Sequence, residues 1–339
     1  MRSLRARILR RLAWSLVVVW ATVTVAFLVN NALPSDPARM IAGQQAPASA
    51  VAKVRKDLGL DRPLYVQYAL FLGHLVHFGP SSFDPKKDPE HANCTNLSVL
   101  HVDLGRSYQQ RRPVVTILAE RLPRTLLLAL AAALVQALIG VTAGVVAAAR
   151  KRTLVDHVAV TGSLLGVSTP TFMIGLFVQW LFAFRLHLLP LDGYGDSAGE
   201  HLACLVLPAF TLGVFGAAYY TRLVRDEMIG QLSQDYIRTA RAKGLAVRSV
   251  VFRHALRNAL VPIVTVFGLE LGTLVGGAIV TESVFRWPGL GSLSSSALLD
   301  RDGPVVMGCV IITSSIVVLS TLIVDVLYNV LDPRLRRAT

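Results

Sequence analysis

"TLLLALAAALVQALIGVTAGVVAAA", Thr125–Ala149, runs for 25 residues without a charged side chain. As a helix rising about 1.5 Å per residue it is long enough to cross the hydrocarbon core of a bilayer, about 30 Å thick. Five further stretches read the same way: Leu12–Leu33, Leu154–Phe184, His201–Leu223, Asn258–Thr281 and Val305–Leu331. The composition agrees. Of the 339 residues 53% are hydrophobic and only 16% charged, and aromatics are 7%, so the apolar content is mostly Leu, Val and Ala. These values exclude an ordinary soluble enzyme and predict an all-α polytopic membrane protein with six spans.

The net charge of +13 would raise nucleic-acid binding in a soluble protein, but here the positions of the cations decide. Arg2, Arg5, Arg7, Arg10 and Arg11 precede the first span, and Arg150, Lys151 and Arg152 join the second to the third. Eight more lie between Arg222 and Arg257, and Arg334, Arg336 and Arg337 end the chain. With six spans, all four groups fall on one side, and the short loops opposite hold only Arg185, Arg286 and Arg301. Cytoplasmic loops concentrate Lys and Arg, so both termini are expected in the cytoplasm and no nucleic-acid partner is expected. The first apolar run is longer than a signal-peptide core and lacks a clear small-x-small cleavage site, so it reads as a retained anchor.

The chain then divides into residues 1–33, an N-terminus and first span; 34–124, an external segment with an insertion near 76–102; 125–331, a five-span core with a cytoplasmic loop at 224–257; and a tail at 332–339. Within the external segment Ser49–Leu58 has helical spacing with Gly59 placed as a left-handed cap, and "PSSFDPKKDP" at 80–89 is turn-rich. Cys94, Cys204 and Cys309 show no CxxC or His-flanked spacing, so neither a metal site nor a disulfide framework is predicted, and a Cys94–Cys204 bridge has little support. Asn93 and Asn96 begin glycosylation sequons that are equally short patterns of chance.

The loop at 224–257 contains "DYIRTARAKGL", Asp235–Leu245. Asp235–Lys243 is helix-compatible, Gly244 stands where such a helix must stop, and a second polar-faced helix is expected from Arg248 to Asn258. Thr239, Ala240 and Ala242 keep one surface thin enough for another protein to approach the backbone. A basic helix lying on anionic headgroups is the competing reading, which Arg238, Arg241 and Lys243 would also favour.

"RTARAKG" at 238–244, followed by "NALVP" ending at Pro262, resembles the EAA loop of binding-protein-dependent ABC importer permeases, with Arg238, Thr239 and Ala240 replacing the usual leading Glu-Ala-Ala. "LPSDPA" from Leu33, "LGLDRPLYVQY" from Leu58, "DLGRSYQQRRPV" from Asp103, "LPLDGYG" from Leu189, "TESVFRWPGLGSL" from Thr281 and "LDPRLRR" from Leu331 are similar, in the same order, to the dipeptide, oligopeptide and nickel permeases of that group. About 25 extra residues between Leu75 and Asp103 depart from the pattern. The resemblance implies a type I importer permease fold, a heterodimer with a second homologous permease, two ATPase subunits and an external solute-binding protein. It further implies that Asp235, Arg238, Thr239, Ala240, Arg241, Ala242, Lys243, Gly244 and Leu245 couple to an ATPase. ATP and Mg would then belong to those partners, since no GxxxxGK[ST] loop occurs here and no cofactor is expected on this chain. Phe285, Trp287, Pro288 and Gly289 become candidates for an external gate or binding-protein contact, with a membrane-interface aromatic anchor as the alternative.

Glu270 lies within the fifth predicted span, where a carboxylate costs roughly 3 kcal/mol to insert and faces water or a partner. It is a candidate for the translocation pathway, meeting a peptide ammonium, or for a structural hydrogen bond. Asp156 and His157, at the start of span three, and Asp325, near the end of span six, read as interfacial or paired. A peptide is the expected substrate, with nickel chelates next. An intramembrane hydrolase is disfavoured by the absence of HExxH and GxSxG, and a secondary transporter by the lack of visible paired halves.

Overall fold

The computed structural model describes residues 4–32, 37–43, 45–57, 59–78, 94–97 and 100–331. In chain order the helices are α1 (Leu4–Ala32), α2 (Pro37–Ala42), α3 (Ala48–Asp57), α4 (Leu64–Leu75), α5 (Val114–Ala149), α6 (Leu154–Ser168), α7 (Thr171–Val178), α8 (Ala198–Leu232), α9 (Asp235–Ala242), α10 (Val247–Ser249), α11 (Leu256–Gly277), α12 (Ile279–Val284), α13 (Leu290–Leu299) and α14 (Gly303–Leu331). Two π-helical segments, Gln179–Arg185 and Val250–Ala255, continue α7 and α10. Strands β1 (Val76–Phe78), β2 (Cys94–Leu97) and β3 (Leu100–Asp103) form an antiparallel sheet in the order β1-β3-β2. The turn-rich stretch at 80–89 and the tail at 332–339 lie outside the described residues.

Among the described residues five helices are long and apolar enough to cross a membrane, and the bent pair α6 and α7 makes a sixth if it is counted as one span. The third predicted span, 154–184, is not one rod. Helices α6 and α7 meet at 104° across Thr169 and Pro170. The cause is local: the residue before a proline is driven out of the helical region, and Thr169 is extended at φ −89° and ψ 125°. The helix expected at 248–258 runs through the π segment into α11, and Pro262 sits inside α11.

The chain divides into two compact units. The first comprises residues 1–13, 124–292 and 316–339. Here α5 packs its small residues inward: Ala129, Ala132, Ala133, Ala147 and Ala148 are buried, whereas Leu130, Leu134 and Leu138 stand 63%, 70% and 65% exposed along one stripe. That is the inverse of a soluble helix, and it suits hydrocarbon, where close backbone approach drives helix association. Gly140 and Gly144 carry the approach. A Cβ on either would fall 2.5 Å from the Cβ of Tyr220 or 2.7 Å from that of Val224, both on α8. An ion pair between α8 and α6 fixes the start of α6, because Arg225 Nε donates to Asp156 Oδ1 at 2.5 Å and its second nitrogen to Oδ2 at 3.0 Å. Asp156, 3% exposed, also accepts the Arg152 amide at 2.9 Å, so the carboxylate is paired rather than interfacial.

The second unit comprises residues 14–123 and 293–315. Val23, Phe27 and Met307 form its apolar centre, with Tyr68 and Phe71 packed against them. Helix α3 ends as its sequence indicates: Gly59 takes φ +66°, its amide donates to Lys56 O, and the Leu60 amide reaches back to Arg55 O, the hydrogen-bond pair of a Schellman cap. Asp302, 3% exposed, holds the "DLGRSYQQ" loop, accepting from Ser107 Oγ at 2.5 Å and from the amides of Tyr108 and Gln109 at 3.1 and 3.2 Å. Burial and this neighbouring carboxylate push the Tyr108 phenol up to about 12. Cys94 and Cys204 are thiols, and the bridge between them is not formed.

Candidate coupling helix and buried carboxylates

Helix α9 is eight residues long and has two kinds of surface. Ile237 and Ala240, one turn apart, are 0% and 7% exposed and belong to a core with Met228, Val250, Val251 and Ala255. Burying the isoleucine side chain stabilises the attachment by about 2 kcal/mol. Asp235, Tyr236, Arg238, Thr239, Arg241, Ala242 and Lys243 are exposed. The pair between Arg238 and Asp235, 3.4 Å apart with both side chains mostly in solvent, adds little. The helix is a short basic rod clamped by one edge.

Its C-terminus is closed by Gly244. The glycine adopts φ +72°, its amide donates to Arg241 O at 2.9 Å, and the Leu245 amide donates to Ala240 O at 3.3 Å. This is again the Schellman pattern, and an added Cβ would meet nothing within 4 Å, so the demand for glycine is one of backbone conformation. After Leu245 the chain enters α10 and the π segment, whose Val250, Val251 and Ala255 pack in the same core as Ile237. A clamped helix is thus joined through α10 and the π segment to α11, which carries Pro262 in its interior.

Glu270 sits on α11, and its Oε2 accepts from Gln136 Nε2 of α5 at 2.9 Å. Tyr220 of α8 is a further polar neighbour, within electrostatic reach of the carboxylate. Gln136 is fully buried and rests against Gly216, where a Cβ would come within 2.0 Å of its Oε1. The arrangement links α5, α8 and α11 at one point, which is the structural hydrogen bond expected as the alternative. Sequence reasoning missed Gln136, although it is the one amide in the long apolar run of α5.

The stretch "TESVFRWPGLGSL", expected as an external gate or binding-protein contact or as a membrane-interface anchor, has its aromatics turned inward. Phe285 and Trp287 are 2% and 0% exposed, and Gly289 is also buried. Trp287 Nε1 donates to Arg124 O at 3.1 Å, and its ring meets Tyr194 edge-on with centroids 5.0 Å apart. These two aromatics are therefore internal supports, neither a membrane-interface anchor nor an exposed contact, and Arg286 with half-buried Pro288 forms the outward side of the turn. Beneath it lies Glu282, fully buried and absent from the sequence-derived candidates. Its Oε1 accepts from Thr125 Oγ1 at 2.8 Å and its Oε2 from the Ser292 amide at 2.9 Å, and the Leu290 amide donates to Thr125 Oγ1 at 2.7 Å. Gly289 has no room for a side chain, because a Cβ there would lie 2.1 Å from Glu282 Oε1. The signal was present as an acid inside an apolar helix followed by two glycines and a serine.

With this geometry in view, comparison with known proteins is decisive for the family. Residues 140–337 match the binding-protein-dependent transport system inner membrane component family, and residues 4–129 match the N-terminal region described for such membrane components. The chain belongs to this family. The permease is 39% identical over 334 residues to a Brucella abortus protein named for a peptide transport system, covering 98% of this chain and 99% of that one. It is 38% identical to the "Probable D,D-dipeptide transport system permease protein" of Escherichia coli K12, covering 97% of each chain. A glutathione transport system permease protein of Salmonella typhi is 37% identical, with 97% and 98% covered. Among solved structures, a chain of the inward-facing MetNI methionine ABC transporter aligns with a TM-score of 0.53 at 19% identity, covering 65% of the permease and 98% of that chain. That likeness shows the fold: a polytopic type I permease.

Proposed function

We propose that this permease is one half of the translocation path of an ATP-driven importer of dipeptides or oligopeptides, and that α9 is the element through which ATPase subunits move it. The observation that carries the coupling role is the division of α9. Ile237 and Ala240 fasten it to the core that also holds Tyr220 and Ile263, while Arg238, Thr239, Arg241, Ala242 and Lys243 project as a narrow basic face. A membrane-surface helix would present bulky apolar residues to lipid opposite its charges. Here the aliphatic Ile237 is buried against the core, and the bulky apolar side chain that α9 leaves exposed is Tyr236.

In this reading the α9 side of the molecule, with both termini, is cytoplasmic, and the Arg286 turn is external. Closure of the ATPases on ATP shifts α9 as a rigid piece, and the core around Ile237 passes the shift to α8 and α11. The chain supplies no hydrolytic chemistry; it transmits work done by partner subunits. A second homologous permease completes the path and an external binding protein delivers substrate. The three relatives named above carry a peptide, a D,D-dipeptide and glutathione in their names, which supports a peptide substrate. The discriminating contacts reside largely in the binding protein.

The test is a reconstituted complex of both permeases, the ATPases and the binding protein in proteoliposomes. Dipeptides should stimulate ATP hydrolysis and accumulate inside, and Gly244→Val should keep assembly and basal hydrolysis while losing most stimulation and uptake. Uptake unaffected by ATP depletion under a maintained proton gradient would overturn the ATP-driven reading, and full coupling in the variant would overturn the role of α9.

A further inference from the structure

The small sheet gathers three side chains that transport does not use. His77 on β1 and His101 on β3 stand opposite each other in register, with ring centroids 5.6 Å apart. Cys94 on β2 pairs with Asp103, two residues along β3 from His101. Side chains alternate across a strand, so His77, His101 and Cys94 share one face. Their sequence separations show no metal-binding pattern; antiparallel pairing assembles them.

The distances suit coordination. One ligand atom from each of the three lies within 4.8 Å of the others, and Cys94 Sγ is 3.6 Å from His77 Nε2. Tetrahedral zinc, with Zn–S about 2.3 Å and Zn–N about 2.0–2.1 Å, has an S···N edge of about 3.5 Å. His77 is also oriented in the manner of a metal ligand. Its Nδ1 is 3.0 Å from His74 O, so the tautomer protonated there donates to the carbonyl and leaves the Nε2 lone pair directed at the thiol. His101 is fully buried and Cys94 partly so, which keeps bulk water from competing. An N₂S set excludes Mg²⁺ and Ca²⁺, which take oxygen ligands, and favours zinc and its neighbours.

We propose that His77, Cys94 and His101 form a binding site for a borderline-soft divalent cation, zinc foremost, in the segment between α4 and α5. On binding, Cys94 releases its thiol proton to solvent, the thiolate and two imidazole nitrogens donate to the ion, and water takes the fourth position; no electrons are transferred. His77 and Cys94 are 17 residues apart, so the ion ties the two ends of the insertion together and fastens β1 and β2 to β3. The site stands independently of the transported substrate.

The test uses the full-length permease in its detergent-solubilised complex, carrying Cys204→Ala and Cys309→Ala so that Cys94 is the sole thiol. Cobalt titration should show one ion per chain with a near-ultraviolet thiolate-to-cobalt band that zinc displaces. Cys94→Ser should abolish the band, and His101→Asn should weaken binding at least about tenfold. Without those site substitutions, saturating zinc should slow maleimide alkylation of Cys94 at least about tenfold, reversibly with EDTA. Cobalt bound without the thiolate band, unchanged affinity in His101→Asn, or an alkylation rate indifferent to zinc would each overturn the site.

Discussion

Gly244 and Glu282 show two ways in which a single residue can be irreplaceable. At Gly244 there is space for a side chain but the backbone conformation is left-handed, which costs a non-glycine residue roughly 1–2 kcal/mol and a β-branched one more. Gly244→Asn, which tolerates that region, should therefore retain most peptide-stimulated ATP hydrolysis where Gly244→Val loses it. Equal loss in both would mean that something other than backbone geometry is being read. At Glu282 the demand is chemical. Both oxygens accept from donors, so Glu282→Gln directs an amide NH₂ at Thr125 or at the Ser292 amide, and the variant should lose about 2–4 kcal/mol of stability. Thermal unfolding in detergent reads this as a clear fall in Tm, and an unchanged Tm would remove the carboxylate from the framework. Glu270 is a milder case, because Glu270→Gln keeps an oxygen for Gln136 Nε2. That variant should insert and fold normally, so a selective change in uptake of cationic peptides would report a path role beyond the structural bond.

At the scale of elements, what was legible follows physical range. The apolar runs, the helix before Gly59 and the stop at Gly244 depend on residues within one or two turns, and all were readable from the sequence. The Pro170 break depends on a local rule as well, but the apolar content on both sides masked it: hydropathy averages over the 104° bend between α6 and α7. The carboxylate cages were not readable, because Glu282 with Thr125 and Asp302 with Ser107 are 157 and 195 residues apart. The buried aromatics of the 281–293 turn misled for a related reason. Trp and Phe beside a Pro-Gly turn fit a membrane interface as well as an interior, and only the Arg124 carbonyl and the Tyr194 ring decide between them. The pair of Asp156 with Arg225 makes an element-level prediction. Arg225→Ala leaves a buried carboxylate held only by the Arg152 amide and should destabilise by about 3–5 kcal/mol, whereas the double replacement Asp156→Asn with Arg225→Leu should recover part of that loss. A double variant as unstable as the sum of the singles would show that the two residues act separately.

For the whole molecule, family membership and the inverted polarity of α5 agree that lipid is the solvent, and the proposed orientation within it rests on the cation distribution. Cysteines introduced at Arg248 and at Arg286, in a background lacking the three native ones, should react with a membrane-impermeant maleimide from opposite sides, Arg286 from outside intact cells and Arg248 only after permeabilisation. Under the proposed function these features form a load path: partner ATPases would act on the exposed face of α9, Ile237 would carry the displacement into the core shared by α8 and α11, and α11 would move as part of the membrane domain. The most direct measurement places a photo-crosslinking amino acid at Ala242 in the reconstituted complex, irradiated at rest and during peptide-driven ATP turnover. The account predicts adducts with an ATPase subunit whose yield changes between the two conditions. Adducts only with lipid or with the external binding protein would contradict it.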